Sequence, residues 1–389
     1  MKFLTLSNNS RIKNIIKILK AVQWDNPPKA NVLILDEMGS DYIEQMIVYG
    51  LDFSILHSLM EVVYLSPQIL LLFLKNLARA LWRKTKEGEQ WFPWEIYLLS
   101  CIEYIGPKVV VTFIDNSPVY QNLSRRYAGG DFYLIQNGVR LKVDAEVDYT
   151  IKMTNLCCWG QSDIDLFSRN NHRIDNYMPL GPLVGSYYKT ELSSGDIEDE
   201  YDVCLVSQWR NQFMNGESAP HLKKAVSTVN EYLAQYLHKH PVKACVATCA
   251  QVKENLTREI AYYRDLFGDD VTIIPRERKT FSTYAAMDRS TVIIGFSSSA
   301  VYEAYGWGKK VLLCNYSDDY KWDNASVIED ITISGTDYLD FERKLNKILN
   351  MDAAEYKNMA AANMKYAVNF NAEMPAHKYL RQKIVERIK

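Results

Sequence analysis

Short apolar runs of strand length alternate with helix-length segments along most of the chain, and this alternation constrains the fold more than any other feature. Several runs in the first half are apolar throughout rather than at every second position. Such strands are typical of a parallel sheet covered by helices on both faces, so the first half is predicted to form a doubly wound α/β domain. Its strand candidates are residues 30–37, 61–66, 108–115, 131–138 and 154–160, and its helix candidates are 41–58, 67–86, 92–104, 117–127 and 162–170.

Residues 177–200 interrupt the alternation with prolines, glycines and a closing acidic run, which is a composition typical of a linker. A second strand–helix series follows, with strand candidates at 201–208, 243–248, 271–275, 291–296 and 310–315. We therefore expect an α/β protein with two Rossmann-like domains that face each other across a cleft. The predicted bounds are 1–180 for the first domain, 181–200 for the linker, 201–337 for the second domain and 338–389 for a helical C-terminal tail.

Composition and motifs exclude several kinds of function. A formal net charge of -2 argues against a general nucleic-acid binder, which would show a basic excess. No cysteine and histidine spacing fits a zinc site, so no metal is expected. The chain also lacks G-x-G-x-x-G after its first strand and has no P-loop motif, which disfavours a dinucleotide enzyme or a P-loop NTPase. The D-x-D letters at 163–165 fall at an apparent helix start and are interpreted as structural.

The chain is expected to be cytoplasmic. Its N-terminus lacks the apolar core and cleavage site of a signal peptide, and its most apolar run, residues 69–74, is too short to cross a bilayer. Two segments, 11–24 and 67–86, nevertheless combine apolar residues with several lysines and arginines. They either pack on the protein's own sheet with their cations in solvent, or lie on an anionic membrane surface.

Three successive serines, Ser297, Ser298 and Ser299, stand where a predicted strand ends and a helix begins. The unpaired amides and the dipole of a helix N-terminus attract anions, so the serines are candidates for binding a phosphate. Glu303 would lie one turn further on, where its carboxylate can accept hydrogen bonds from ribose hydroxyls. The alternative is that Ser298 or Ser299 caps the helix, with Glu303 in a role similar to a capping box.

Two further strand ends of the second half carry candidates for binding the same anion. Gln208 and Arg210 follow the first strand, and Arg276 follows the strand candidate at 271–275. An arginine at a strand end would neutralise a leaving phosphate. The alternative is that these residues belong to exposed surface loops.

Polar residues also follow three strands of the first half. Asp36, Glu37 and Asp115 are candidates for the general base or nucleophile of a transfer reaction. An aspartate in this position is also a frequent helix N-cap, which is the structural alternative. Four further residues are candidates for binding the substrate: Asn116, Gln136, Asn137 and Gly138. The pair Asn137-Gly138 would equally suit a turn.

Four blocks of sequence, taken in order, resemble a family of bacterial surface-carbohydrate biosynthesis proteins of capsule and O-antigen clusters. The blocks are VTFIDNSPVYQNLSRRY with FYLIQNGVR, CCWGQSDIDLFSRNNHRIDNYMPLGPLVGSYYK, YDVCLVSQWR and STVIIGFSSSAVYEAYGWGKKVLLCN. The resemblance covers roughly residues 30–320. It implies an architecture similar to GT-B glycosyltransferases and, more loosely, to the CMP-Kdo transferases of capsule and lipopolysaccharide synthesis.

The resemblance also implies roles for particular residues. The serine block and Glu303 would hold the donor nucleotide, and residues 135–138 would line the cleft from the other domain. His240-Pro241 matches the His-Pro letters that Kdo and sialyl transferases carry near CMP, although it stands at the end of a predicted helix.

Together these features predict a metal-independent GT-B glycosyltransferase that acts in the cytoplasm, at the inner face of the membrane. The donor would be a nucleotide sugar, with a CMP-sugar favoured and a UDP-sugar as the alternative, and no permanently bound cofactor is expected. The acceptor would be a surface polysaccharide or a lipid-linked glycan. Other functions remain open: a UDP-sugar 2-epimerase, a polyol-phosphate transferase, or a non-catalytic sugar-binding or scaffold protein.

Overall fold

The computed structural model describes residues 21–36, 38–58, 61–87, 90–193, 198–214, 220–323, 326–335 and 337–389. These residues form two α/β halves, each built on a six-stranded parallel sheet. The two Rossmann-like domains expected from the sequence are therefore confirmed. Most of the basic segment 11–24, and the catalytic candidate Glu37, lie outside the described residues.

The sheet of the first half has its most apolar strands at its centre. Val32–Leu35 and Val109–Thr112 pair in parallel and are buried along their whole length, as continuous apolar runs require. The strands are β1 (Val22–Gln23), β2 (Val32–Leu35), β3 (Phe53–Leu56), β4 (Val63–Tyr64), β5 (Val109–Thr112), β6 (Asp131–Ile135), β7 (Lys152–Cys158) and β8 (Arg173–Pro179). Their spatial order is β3-β2-β5-β6-β7-β8, and β1 pairs separately with β4.

The helices of the first half cover both faces of this sheet. They are α1 (Ser40–Ile43), α2 (Pro67–Glu87), α3 (Pro93–Ile105), α4 (Pro118–Arg126), α5 (Lys142–Ala145) and α6 (Gln161–Arg169). The expected helix over 41–58 is wrong in its second part. α1 continues only as a π-helical turn, Glu44–Val48, and the chain then turns at Gly50, whose φ of 71° favours glycine. Strand β3 follows, because its β-branched and aromatic residues suit an edge strand.

The second half has the strand order of a Rossmann fold. Its strands are β9 (Tyr201–Val206), β10 (Ala244–Ala247), β11 (Thr272–Ile274), β12 (Ser290–Gly295), β13 (Lys310–Asn315) and β14 (Thr332–Ser334). They lie in the order β11-β10-β9-β12-β13-β14, which reverses direction between β9 and β12. This reversal is the topological switch point at which such sheets bind ligands.

Helices connect these strands and continue into the tail. They are α7 (Leu183–Tyr187), α8 (Asn211–Met214), α9 (Pro220–Lys239), α10 (Lys253–Phe267), α11 (Ser282–Asp288), α12 (Ser299–Gly306), α13 (Tyr338–Asn350), α14 (Ala353–Ala367) and α15 (Ala376–Ile388). A second π-helical turn, Tyr188–Leu192, extends α7, and short 3-10 turns cover Tyr320–Trp322 and Glu329–Ile331. Within the described ranges, no helix is long and apolar enough to cross a membrane.

The tail does not stay with one half. Phe341 of α13 and Tyr356 of α14 belong to the core of the second half. α15 instead packs on the first half, where Leu380 and Ile384 join the core around β2. The Arg381 guanidinium Nη1 donates hydrogen bonds to the carbonyl oxygens at the end of the π-helical turn after α1. The chain therefore crosses between the halves twice.

Candidate functional site

A cavity of about 340 Å³ lies between the two halves, at the carboxyl ends of their strands. A second cavity, of about 670 Å³, opens beside it and shares part of its wall. The residues that line both are Tyr42, Phe113, Asn137, Gln208, Arg210, Arg276, Arg278, Ser297 and Ser299. The strands that flank the switch point, β9 and β12, end directly at this wall. The fold therefore places the cavity where an open parallel sheet binds its ligand.

Most of the residues nominated from the sequence meet here. The smaller cavity is lined by Gln136, Asn137, Gln208, Arg210, Arg276, Ser297, Ser298, Ser299 and Glu303, and the larger one adds Gly138. These residues come from opposite halves and from five different loops or elements. What each of them contributes to ligand binding stays a prediction.

The serine block is fixed from the neighbouring strand end. Gln208 Nε2 donates to Ser297 Oγ (3.1 Å), and Gln208 Oε1 accepts from the Ser297 backbone N–H (2.9 Å). Ser298 is the N-cap residue of α12 in an extended conformation, but its side chain makes no capping hydrogen bond. A simple helix cap therefore does not account for Ser298, which lines the smaller cavity.

Ser299 joins the two halves directly. Its Oγ accepts a hydrogen bond from the Val139 backbone N–H (3.1 Å), which belongs to the loop after β6 in the other half. A Cβ atom on Gly138 would lie 2.6 Å from the same oxygen, closer than real Cβ contacts come. Glycine at position 138 thus lets the loop after β6 approach α12.

Glu303 lies one turn into α12 and is buried. Burial raises the pKa of its carboxyl to about 8, and the Tyr284 hydroxyl and the Gly185 backbone offset only part of that rise. Its Oε2 has no hydrogen-bond partner of normal geometry among the described residues. At neutral pH this environment therefore favours a protonated Glu303. A ligand hydroxyl that donates to this carboxyl would favour its ionised form.

Arginines give the cleft a positive wall. The Arg276 backbone N–H donates to Thr248 Oγ1 (2.9 Å), and its Nη1 donates to the Cys249 carbonyl (3.1 Å). Arg278 spans the cleft, where its Nε donates to the Tyr42 hydroxyl (3.2 Å). Its Nη2 donates to Asp41 Oδ1 (2.9 Å). Arg210 adds a third guanidinium to both cavities. A site with three arginines and a helix N-terminus suits an anion.

A buried carboxylate organises two of the loops that carry these groups. Glu259 of α10 accepts hydrogen bonds from Ser207 Oγ after β9. It also accepts from the backbone N–H groups of Cys249 (2.9 Å) and Ala250 (2.8 Å) after β10. Because its oxygens are occupied by these donors, Glu259 is a positioning group for the cavity wall.

The carboxylates nominated for catalysis in the first half occupy a different environment. Asp115 is buried and forms an ion pair with Arg140, whose Nε donates to Asp115 Oδ2 (3.0 Å). Asp36 is also buried, with a left-handed backbone (φ 83°), and it accepts from Ser58 Oγ (2.9 Å) and the Tyr120 hydroxyl. Neither residue lines the two interdomain cavities.

The substrate-side candidates divide between two places. Gln136 Nε2 donates to the Gly138 carbonyl (3.0 Å), and Asn137 Oδ1 accepts from Arg140 Nη2 (3.0 Å), so both hold the loop after β6. Asn116 instead lines a separate cavity of about 200 Å³ within the first half, together with Asp115 and Asp144.

Two motif interpretations can be checked directly. Asp163 accepts from the backbone N–H groups of Trp159 and Gly160 at the start of α6, which agrees with a structural D-x-D. His240, directly after α9, stacks on Tyr236, and its Nε2 lies 2.9 Å from Glu342 Oε1 of α13. It lines neither interdomain cavity, so its place does not match a His-Pro motif beside a nucleotide. Among the residues that the structure describes, no group of three metal-ligating side chains occurs.

Sequence reasoning missed the aromatic part of the site. Tyr42, Phe113, Trp159, Phe281 and Tyr284 line the smaller cavity. In sequence they resemble ordinary core residues, and no spacing distinguishes them. Asp144 was missed as well, although it is a carboxylate of the first half that lines the larger cavity. Burial raises its pKa, against the opposing effect of Arg140.

Solved structures share this architecture across nearly the whole chain. An S. aureus protein, MnaA, determined with UDP, has 11% identity and a TM-score of 0.52, covering 92% of this chain and 95% of its own. A Listeria monocytogenes protein described as "putative UDP-N-acetylglucosamine 2-epimerase" has 10% identity and a TM-score of 0.52, covering 93% and 96%. A glycosyltransferase from Rickettsia africae has 12% identity and a TM-score of 0.49, covering 93% and 98%.

The two similarities with a TM-score of 0.52 establish the fold, which has two Rossmann-like domains on either side of a cleft. Residues 168–384 match a family described as "putative O-antigen biosynthesis protein", which is more than half of the chain. The chain therefore belongs to that family, and the resemblance to surface-carbohydrate proteins is confirmed. No curated protein sequence matches the chain.

Proposed function

We propose that this protein is a metal-independent glycosyltransferase that moves a sugar from a nucleotide-sugar donor to a bacterial surface glycan or its lipid-linked precursor. One observation carries the proposal: an interdomain cavity at the switch point combines a serine-rich helix N-terminus, three arginines and a buried glutamate. This set of groups complements a nucleoside phosphate, with anion donors at one end and a hydroxyl acceptor at the other.

The leaving phosphate would be stabilised by fixed donors. The backbone amides at the start of α12, the Ser298 hydroxyl and the guanidinium of Arg210 or Arg276 would meet the negative charge as the glycosidic bond breaks. Gln208 holds Ser297, directly before the start of α12, and Glu259 holds the Cys249 backbone, whose carbonyl accepts from Arg276. The donors carried by these segments would therefore need little rearrangement during the reaction. Glu303 would accept from the ribose hydroxyls and lose its proton when the donor binds.

The general base is proposed among the carboxylates of the first half. Asp115 lies beside the small cavity that Asn116 and Asp144 share, which would suit an acceptor sugar. To take a proton, Asp115 would have to exchange its ion pair with Arg140 for the acceptor hydroxyl. Asp36 and Glu37 remain further proposals for the same role, and the Asp36 carboxylate would have to leave Ser58 and Tyr120.

The donor nucleotide separates two versions of the proposal. The resemblance to CMP-Kdo transferases supports a CMP-sugar, whereas the UDP in the S. aureus structure supports a UDP-sugar. We also propose that the protein acts at the cytoplasmic face of the membrane, in O-antigen, capsule or lipopolysaccharide synthesis, where a lipid-linked acceptor would be available.

Thermal-shift and calorimetric titrations with CMP, CDP, UDP and GDP test the proposal. We expect one nucleotide to raise the melting temperature of the wild type. Its affinity should fall at least about tenfold in Ser298→Ala and in Arg276→Ala, since each loses a hydrogen bond to a charged group. Ser334→Ala is a control, since this exposed serine belongs to the edge strand β14 of the same half and lines neither cavity. If none of the four nucleotides binds, the proposal is wrong.

A UDP-sugar 2-epimerase is the second candidate, favoured by the description of the L. monocytogenes neighbour. An epimerase would convert a UDP-sugar to its C2 epimer without an acceptor. A transferase would release the nucleotide only when the sugar is transferred to an acceptor. NMR of UDP-N-acetylglucosamine incubated with the protein separates the two. A new C2 epimer would favour the epimerase and contradict the transferase.

A further inference from the structure

Helix α2 (Pro67–Glu87) presents a long apolar stripe to solvent. Five of its large apolar side chains are more than half exposed: Leu70 (55%), Leu71 (68%), Leu74 (52%), Leu81 (58%) and Trp82 (58%). At 100° per residue they share one side of the helix, with Ala78 between them. Soluble proteins rarely expose so many large apolar groups in one patch, and such patches usually mark an interaction surface.

The opposite side of α2 packs on the first half. Ile69, Asn76 and Ala80 are buried against the first half. Asn76 Nδ2 donates to Ser100 Oγ (3.2 Å) and to Glu103 Oε2 (3.2 Å) on α3. The helix is therefore already anchored by its inner side, and the stripe faces solvent.

The charges beside the stripe indicate which kind of surface would complement it. Residues 67–86 contain no aspartate or glutamate. Lys75, Lys84 and Lys86 are exposed and flank the apolar side chains. Lys75 lies 3.7 Å from the Glu103 carboxylate of α3. A second copy of the chain packed stripe to stripe would bring Lys84 and Lys86 of the two copies towards one another. A surface rich in anionic lipid would instead neutralise them.

The dimensions suit a helix lying in the plane of a membrane rather than crossing it. α2 has 21 residues and is about 31 Å long, and its apolar groups occupy one side only. Trp82 stands near its C-terminal end. Trp24, which is 83% exposed, lies near the N-terminal end, because β1 pairs with β4 directly before α2. Tryptophans are enriched at the lipid–water interface.

We infer that the exposed stripe of α2 is a membrane-docking surface that binds anionic phospholipid bilayers, with Leu71, Leu74, Leu81 and Trp82 inserted among the acyl chains. This inference rests on the proposed function only for its biological purpose, since a docked first half would receive a lipid-linked acceptor. The surface belongs to the half that carries the proposed acceptor site, and it leaves the donor cavity free.

Vesicle flotation of the full chain tests the inference. The wild type should float with vesicles of phosphatidylcholine and phosphatidylglycerol, and more weakly with phosphatidylcholine alone. The triple variant Leu71→Gln, Leu74→Gln, Leu81→Gln should bind more than tenfold more weakly, because buried apolar area drives insertion. Leu339→Gln is the matched control, since Leu339 is equally exposed (65%) on a helix of the other half.

The charge contribution has its own pair of variants. Lys84→Glu with Lys86→Glu should weaken binding to the anionic vesicles by at least about fivefold for each lysine and reduce its salt dependence. Lys357→Glu with Lys365→Glu makes the same charge change on exposed positions of α14 and should leave vesicle binding within about twofold.

Three results would overturn the inference. The first is a wild type that does not float with anionic vesicles, and the second is a triple variant that floats as well as the wild type. The third is a concentration-dependent dimer, seen by sedimentation, that the triple variant abolishes, which would assign the stripe to a second copy. Nucleotide titration of the same proteins keeps the two proposals separate. Loss of vesicle binding with intact nucleotide binding, or the reverse, identifies which one fails.

Discussion

At the residue scale, Glu303 departs furthest from ordinary behaviour. It combines burial, a pKa raised to about 8 and a carboxyl oxygen without a normal hydrogen-bond partner among the described residues. A buried ionisable group without full hydrogen bonding costs stability, and groups of this kind are concentrated at functional sites. Its contribution to stability and its contribution to binding should therefore respond to pH in opposite directions.

The stability of the wild type should fall relative to that of Glu303→Gln as pH rises from about 5 to about 8. Between the unfolded pKa of 4.5 and the folded pKa of about 8, the folded protein holds a proton that the unfolded chain has released. The free energy of unfolding therefore decreases with pH across this window. Urea titrations of both proteins at several pH values measure the difference. A constant difference between pH 5 and pH 8 would contradict the assigned pKa.

At the element scale, Glu259 shows how α10 fixes the loops after β9 and β10. Glu259→Gln should lower the free energy of unfolding by about 2 kcal/mol, because an amide N–H₂ would replace an acceptor that faces backbone N–H groups. Glu254→Gln on the same helix is the control, since that side chain is exposed and should change stability by less than about 0.5 kcal/mol. Equal effects in urea unfolding would show that Glu259 does not hold the loops.

The strands also show which parts of the fold the sequence pattern predicts and which it does not. The central strands are continuous apolar runs, so their pattern alone predicts a buried parallel sheet. The sequence pattern did not predict three edge strands, because edge strands are only partly buried and carry mixed residues. These are Phe53–Leu56, Arg173–Pro179 and Thr332–Ser334. Strand-end reasoning located much of the cavity wall, since the carboxyl ends of parallel strands share one edge.

The pairing of buried carboxylates could not be read from sequence. Asp36 meets Tyr120 across 84 positions, and Asp115 meets Arg140 across 25, so neither partner lies within a local pattern. The aromatic lining of the cavity was not predicted for another reason. Tyr42 and Phe113 are of residue types common in protein cores, and only their position at a cavity distinguishes them. Tertiary contacts, rather than local preference, decide both cases.

At the scale of the whole molecule, the contact between the loop after β6 and α12 sets how closely the halves approach. Gly138→Ala should weaken nucleotide binding and lower the melting temperature, because the new Cβ would lie 2.6 Å from Ser299 Oγ. In a Ser299→Ala background the same change should cost much less, since that oxygen is gone and the Ser299 Cβ lies 3.7 Å away. A double-mutant cycle by thermal melting measures the coupling. Additive effects would mean that the two residues do not meet in solution.

The return of α15 to the first half limits how the molecule can move and how it can be divided. With two chain crossings, one between Leu192 and Tyr201 and one between Ala367 and Ala376, the halves are joined at two places rather than one. We therefore expect the cleft to open by a hinge rotation of one half relative to the other, with sliding and twisting of the halves restricted. For the same reason, a single protease cut between Leu192 and Tyr201 would not release two separate halves. The carboxyl-terminal fragment would stay bound to the amino-terminal one, because Leu380, Ile384 and Arg381 of α15 would keep their contacts with the first half.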